Sequence, residues 1–234
     1  MCANGEMYVY ASENLAQTKT GKMKKWFAAM EDHVQFRLFP PLEKQEVHSD
    51  SELDKLGLYE DITDEIIQDI NSILSENDEE TLICIEGYSY ASQTSALIDL
   101  VTFSTLLRSK IMLDNLAHLM VVSPTTLKVR ACEFTYGERF NAKGKKISCC
   151  NEDGLSGGRF KKPDILKCLL DKEELKEDDY VLLLRELLDD LMGMSNVPKP
   201  IEDLNDAKIA YEILKSLAVE YDNDLSKVKY KSLR

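Results

Sequence analysis

Three acidic side chains stand where the surrounding residues make them unusual. Glu86 closes the apolar run Thr81-Leu-Ile-Cys-Ile-Glu86, and Asp203 and Asp206 open the helical pattern that continues through Ala207-Lys-Ile-Ala-Tyr-Glu-Ile-Leu214. A short apolar run reads as a buried strand, so Glu86 sits where that strand meets the surface. Residues three apart share a helix face, which points Asp203 and Asp206 the same way. Acids brought together repel one another. A bound divalent cation offsets that repulsion and creates a hydrolytic site. The plainer alternative also stands: a solvated residue at a strand edge, and Asp-x-x-Asp as ordinary helix N-terminal capping.

Acids that act on a phosphodiester need basic residues beside them, because alone they repel the backbone. The formal net charge is −13, yet residues 121–170 hold ten Lys/Arg against five acids, a balance of +5 that leaves −18 for the remainder. Within this region Lys128, Lys143, Lys145, Lys146, Arg159, Lys161 and Lys162 are the candidate backbone contacts. A solvated loop with ordinary surface lysines is the other reading. Tyr88 and Tyr90, just past Glu86, offer rings for stacking on a base or sugar at a branch point; the alternative is that they cover the sheet end.

The elements that must position these residues follow from periodicity. Met7–Tyr10 and Val34–Phe39 read as strands, the second stopped by Pro40-Pro41. Ile62, Ile66, Ile70, Ile73 and Leu74 recur at helical spacing up to Ser75. The strand ending at Glu86 comes next, then a helix from Ala96 to about Asn115, then a strand at Leu119–Ser123 closed by Pro124. Strand, helix, strand, helix, strand predicts an α/β sheet with parallel neighbours. From Gly137 to Gly158, five glycines with interspersed lysines read as a long mobile loop. Helices are predicted over 163–170 and 181–192, and Val197-Pro-Lys-Pro200 breaks the chain before the acid-bearing helix. Trp26 and Phe27 are assigned to the core.

The 234 residues, 44% of them hydrophobic, are enough for one sizeable core, and a single domain over 1–234 is expected. No stretch has the roughly 20 apolar residues of a membrane span, and the start has no signal-peptide pattern, so a cytoplasmic protein is expected. Six cysteines without a Cys-x-x-Cys pair suit reduced thiols better than a disulfide frame, and three scattered histidines argue against zinc.

In order, these pieces resemble a known family. A strand ending in Ile85-Glu86-Gly87, a helix, a strand leading into Ser123-Pro-Thr-Thr-Leu-Lys128, a Gly/Lys-rich loop, Lys162-Pro-Asp164 and finally Asp203-x-x-Asp206-Ala207 are similar to the RuvC-like Holliday junction resolvases of the RNase H-like superfamily, especially divergent members in large phages and other DNA viruses. The likeness covers about residues 80–214. It implies an RNase H-like mixed sheet flanked by helices, and it implies Glu86, Asp203 and Asp206 as catalytic, metal-ligating residues. Four carboxylates hold two Mg²⁺ ions in that family. Such a pair, about 4 Å apart, activates water on one side of the phosphate and stabilises the leaving oxygen on the other.

The family's first carboxylate, an Asp ending the opening strand, has no counterpart. Met1–Tyr10 matches the segment just after that strand. Either the first strand lies upstream of Met1 or the protein has lost it; three acids are expected to retain one ion weakly, and impaired cleavage is expected. A truncated start would leave a gap in the sheet beside the strand ending at Glu86. The resemblance thus implies a structure-selective, Mg²⁺-dependent endonuclease on branched or duplex DNA, with homodimerisation following from junction symmetry. The alternative is a non-catalytic RNase H-like module that binds DNA or protein.

Overall fold

The computed structural model describes residues 1–3, 5–14, 22–43, 45–75, 81–87, 94–113, 118–147, 162–192 and 197–220. The chain is mixed α/β. Strands β1 (Cys2–Ala3), β2 (Glu6–Ser12) and β3 (Gln35–Phe39) form one sheet in that order. The pair β1–β2 is antiparallel with Cys2 opposite Met7; β2–β3 is parallel with Tyr8 opposite Gln35. A parallel neighbour needs a crossover, and helix α1 (Lys22–Ala29) lies in that connection, with Trp26 and Phe27 buried.

A second sheet pairs β4 (Leu82–Glu86) in parallel with β5 (His118–Val122), joined through α3 (Thr94–Leu113). Ahead of it runs α2 (His48–Ser75), longer than its isoleucine spacing suggested because its first half lies on the surface while Thr63, Ile66, Ile67 and Ile70 are buried. Alternation along β4 splits two cores. Ile83 and Ile85 pack with Ile66, Ile70 and Ile111 on one face, whereas Leu82 and Cys84 pack with the larger core on the other. Helices therefore cover both faces of β4–β5. The expected single mixed sheet is instead divided, with no strand joining β1–β2–β3 to β4–β5 among the described residues.

Pro124 does not simply end a strand. It starts α4 (Pro124–Tyr136), with Ser123 as N-cap accepting from the Thr126 amide at 3.1 Å; Pro fits the first helical turn, whose N–H groups need no helical partner. The long loop expected from Gly137 is likewise corrected over its first part. There β6 (Arg139–Phe140) and β7 (Lys146–Ile147) form an antiparallel hairpin. The Asn141 side chain accepts from the Lys143 and Lys145 amides at 2.9 and 3.0 Å, and Gly144 takes φ 72°, so local turn chemistry builds a hairpin where composition suggests only mobility.

The remaining helices are α5 (Lys162–Asp171), α6 (Asp179–Glu186), α7 (Leu188–Met192) and α8 (Ile201–Glu220), with a short 3-10 turn at Glu173–Leu175. The helix expected over 181–192 is two helices that meet at Leu187. Cys132 is in a disulfide, a correction to the expectation of reduced thiols that residue spacing could not supply, whereas Cys2, Cys84 and Cys168 are free. Among the described residues no helix is long and apolar enough to cross a membrane.

Candidate functional site

Glu86 is exposed at the C-terminal end of β4, held there by the ladder that β4 makes with β5. Gly87 prolongs that ladder, its amide donating to the Val122 carbonyl at 2.6 Å. A Cβ on Gly87 would come within 3.3 Å of that same oxygen. Only glycine allows so close an approach without a shift, which explains the Glu-Gly pair in structural terms.

Helix α8 begins at Ile201, so Asp203 and Asp206 lie in its first two turns, as their spacing required. Asp203 is exposed and ion-paired with Lys199 at 3.2 Å, a surface contact of small energetic weight. Asp206 is buried, 7% exposed. Leu204 and Ile209 pin the opposite side of the helix into the core. That packing turns the face with Asp203, Asp206, Ala207 and Ala210 towards β4.

Between that face and β4 lies a cleft of about 580 Å³. Glu86, Asp203 and Asp206 all line it, so acids 117 residues apart in sequence open into one space. The rest of the lining is mostly apolar, with Ile66, Ile70 and Ile111 from α2 and α3, Leu127 from α4 and Leu214 from α8, joined by Met1, Tyr10, Thr81 and Tyr211. Two thiols also line it. Burial pushes Cys2 and Cys84 up to about 12, and the nearby Glu86 charge adds to the rise at Cys84. At neutral pH both are protonated and serve as neither nucleophiles nor thiolate ligands.

The three acids share the cleft without closing on a point. Among the described residues no group of three or more His, Cys, Asp or Glu is arranged to hold a metal ion. The carboxylates present therefore do not by themselves fit the two-ion set that the resemblance implies. Mg²⁺ needs several oxygens at roughly 2.1 Å, a demand that a spread trio does not meet.

The basic candidates divide. Lys143 and Lys145 are exposed on the β6–β7 hairpin. Lys146 is tied down by Glu133 at 2.9 Å and Glu138 at 2.7 Å. Lys128 is half-buried on α4, and Lys162 is the first residue of α5. Arg159, Lys161, Tyr88 and Tyr90 lie outside the described residues. Leu127 lines the cleft, and Glu133, which holds Lys146 of the hairpin, lies six residues or about 9 Å further along α4.

Sequence reasoning missed the group that orients α8. Lys208, 1% exposed, donates to Asp178 at 2.6 Å and pairs with Glu212 at 3.1 Å. Its signal was present in a lysine set among apolar residues with Glu four positions later. Burial works to lower the Lys208 pKa, but the hydrogen bonds to Asp178 and Glu212 outweigh it and the net direction is upward.

Comparison with protein-family models found no match, and comparisons with curated proteins and with solved structures likewise found none.

Proposed function

We propose that this chain is a structure-selective endonuclease for branched DNA, of the RuvC-like, RNase H-like type, with Glu86, Asp203 and Asp206 as three of its catalytic carboxylates, which would hold Mg²⁺ only together with a further ligand. One observation carries the reading: a strand-end acid and a helix-borne pair, far apart in sequence, open into the same cleft. The parallel β4–β5 unit with helices on both faces supports the fold side of it. Lys143 and Lys145 supply exposed charge for duplex arms, and a homodimer matches the two-fold symmetry of a four-way junction.

The spread of the three acids favours a second reading in which the chain alone binds branched DNA without cutting it. A synthetic four-way junction separates the two. Mg²⁺-dependent nicking that EDTA stops, and that Glu86→Gln and Asp206→Asn both abolish, establishes the nuclease. Binding without nicking establishes the module. Neither binding nor nicking overturns both.

A further inference from the structure

Phe140 is the one aromatic side chain left open to solvent among the described residues. It is 57% exposed and joins none of the apolar clusters, whereas Trp26 and every other described phenylalanine and tyrosine is buried or half-buried. Leaving a ring in water forgoes the gain of burying it. Among the described residues β6 and β7 pair only with each other, so no second sheet layer recovers that loss within the fold.

The ring stands on a braced and basic support. Phe140 lies directly across the ladder from Lys146, and Lys146 ties the hairpin to Glu133 of α4 and to Glu138. The Asn141 side chain closes the turn through the Lys143 and Lys145 amides. Lys143 and Lys145 are themselves exposed, and among the described residues no acid pairs with either, whereas the charge of Glu138 is offset by Lys146. Beside the ring no exposed aliphatic side chain of the described hairpin is larger than Ala142, so the surface lacks the apolar centre of a protein interface. An open aromatic face next to unpaired ammonium groups suits an unstacked nucleobase and the phosphates that flank it.

We propose that Phe140 stacks on an unpaired base at the branch point of DNA while Lys143 and Lys145 draw the phosphates of the adjoining arm. This rests on the branched-DNA reading and gives that reading a source of structure selectivity. Lysines attract any phosphate backbone, duplex or branched. A ring stacks only on a base that is out of its helix, and unstacking costs least where the base is already unpaired. Charge therefore sets general affinity, and the ring favours the branch.

The test measures binding of the full chain, in EDTA so that nothing is cut, to a four-way junction carrying 2-aminopurine at the branch and to an intact duplex of the same length. Phe140→Ala should weaken junction binding about tenfold, leave duplex binding within about twofold and remove the change in 2-aminopurine fluorescence. The slope of log K against log salt should stay the same, since no charge is lost. Phe140→Trp should restore junction binding and the fluorescence change, and Phe140→Leu, apolar without a ring, should not. Amide exchange at Lys143 and Lys145 shows whether the hairpin stays closed, and the Trp and Leu variants decide the matter if alanine opens it. Unchanged junction binding by Phe140→Ala overturns the proposal, as does an equal loss on junction and duplex or full rescue by leucine. So does blue-shifted emission from Phe140→Trp in the free protein, after subtraction of Trp26, which would show that another part of the chain covers the ring. No DNA binding by the parent chain overturns the branched-DNA reading itself, whereas junction binding indifferent to Phe140 overturns this proposal alone.

Discussion

Asp178 and Lys208 meet at 2.6 Å, and the same carboxylate caps α6 by accepting from the Val181 amide at 3.2 Å. One side chain thus fixes the start of α6 and the rotation of α8. The rotation matters because it decides which face of α8 looks into the cleft.

Lys208→Met should therefore destabilise the fold by about 3–5 kcal/mol, the usual cost of leaving buried charges without their partner. Urea denaturation at pH 7 measures this, and an unchanged midpoint would remove the pair from the account of α8. The Lys208 pKa is raised in the fold, so its contribution is complete below the unfolded value of 10.5 and is lost as pH rises through the higher folded value. The variant's deficit should persist across the neutral range and shrink only above pH 10.5.

The cleft thiols predict a separate alkaline effect. Cys2 and Cys84 shift from 9.0 up to about 12, so the protonated forms stabilise the fold fully below pH 9, and that contribution is lost as pH rises towards 12. Cys84→Ala should make the fall in stability between pH 9 and pH 12 shallower. Native protein at pH 8 should react slowly with iodoacetamide at both positions, and fast labelling of either would place its thiol outside a buried cleft.

Gly87→Val should cost about 1–3 kcal/mol, because its Cβ must displace the Val122 carbonyl that the Gly87 amide bonds. A lowered thermal midpoint is the expected result. Glu86 should lose its position at the same time, so any cleavage should fall further than stability alone explains.

Among the lysines, free charge and structural charge should separate in salt titrations of junction binding. Lys143→Ala and Lys145→Ala should each reduce the slope of log K against log salt by about 0.9 if each contacts one phosphate. Lys146→Ala should instead loosen the hairpin by cutting its ties to Glu138 and to Glu133, which keeps Arg130 at 3.1 Å, visible as faster amide exchange at Lys143 and Lys145. Slopes unchanged in the first two variants would take the hairpin off the DNA surface.

The residues alone determined the strand at Leu82–Glu86, its parallel partner near Leu119–Val122 and the helix carrying Asp203 and Asp206, because periodicity and the length of an apolar run are local properties. The burial of Trp26 and Phe27 was legible from residue type, since large apolar rings are usually inside. Local composition misled at Gly137–Ile147, where one asparagine side chain and a left-handed glycine make a hairpin from residues that individually favour loops. Only the tertiary structure decided that Glu86 and the helical acids share one cleft without forming a metal cluster, since a distance between side chains 117 residues apart depends on how α8 is rotated against β4. That rotation is held by the packing of Leu204 and Ile209 together with Asp178 and Lys208, partners whose meeting no sequence spacing encodes.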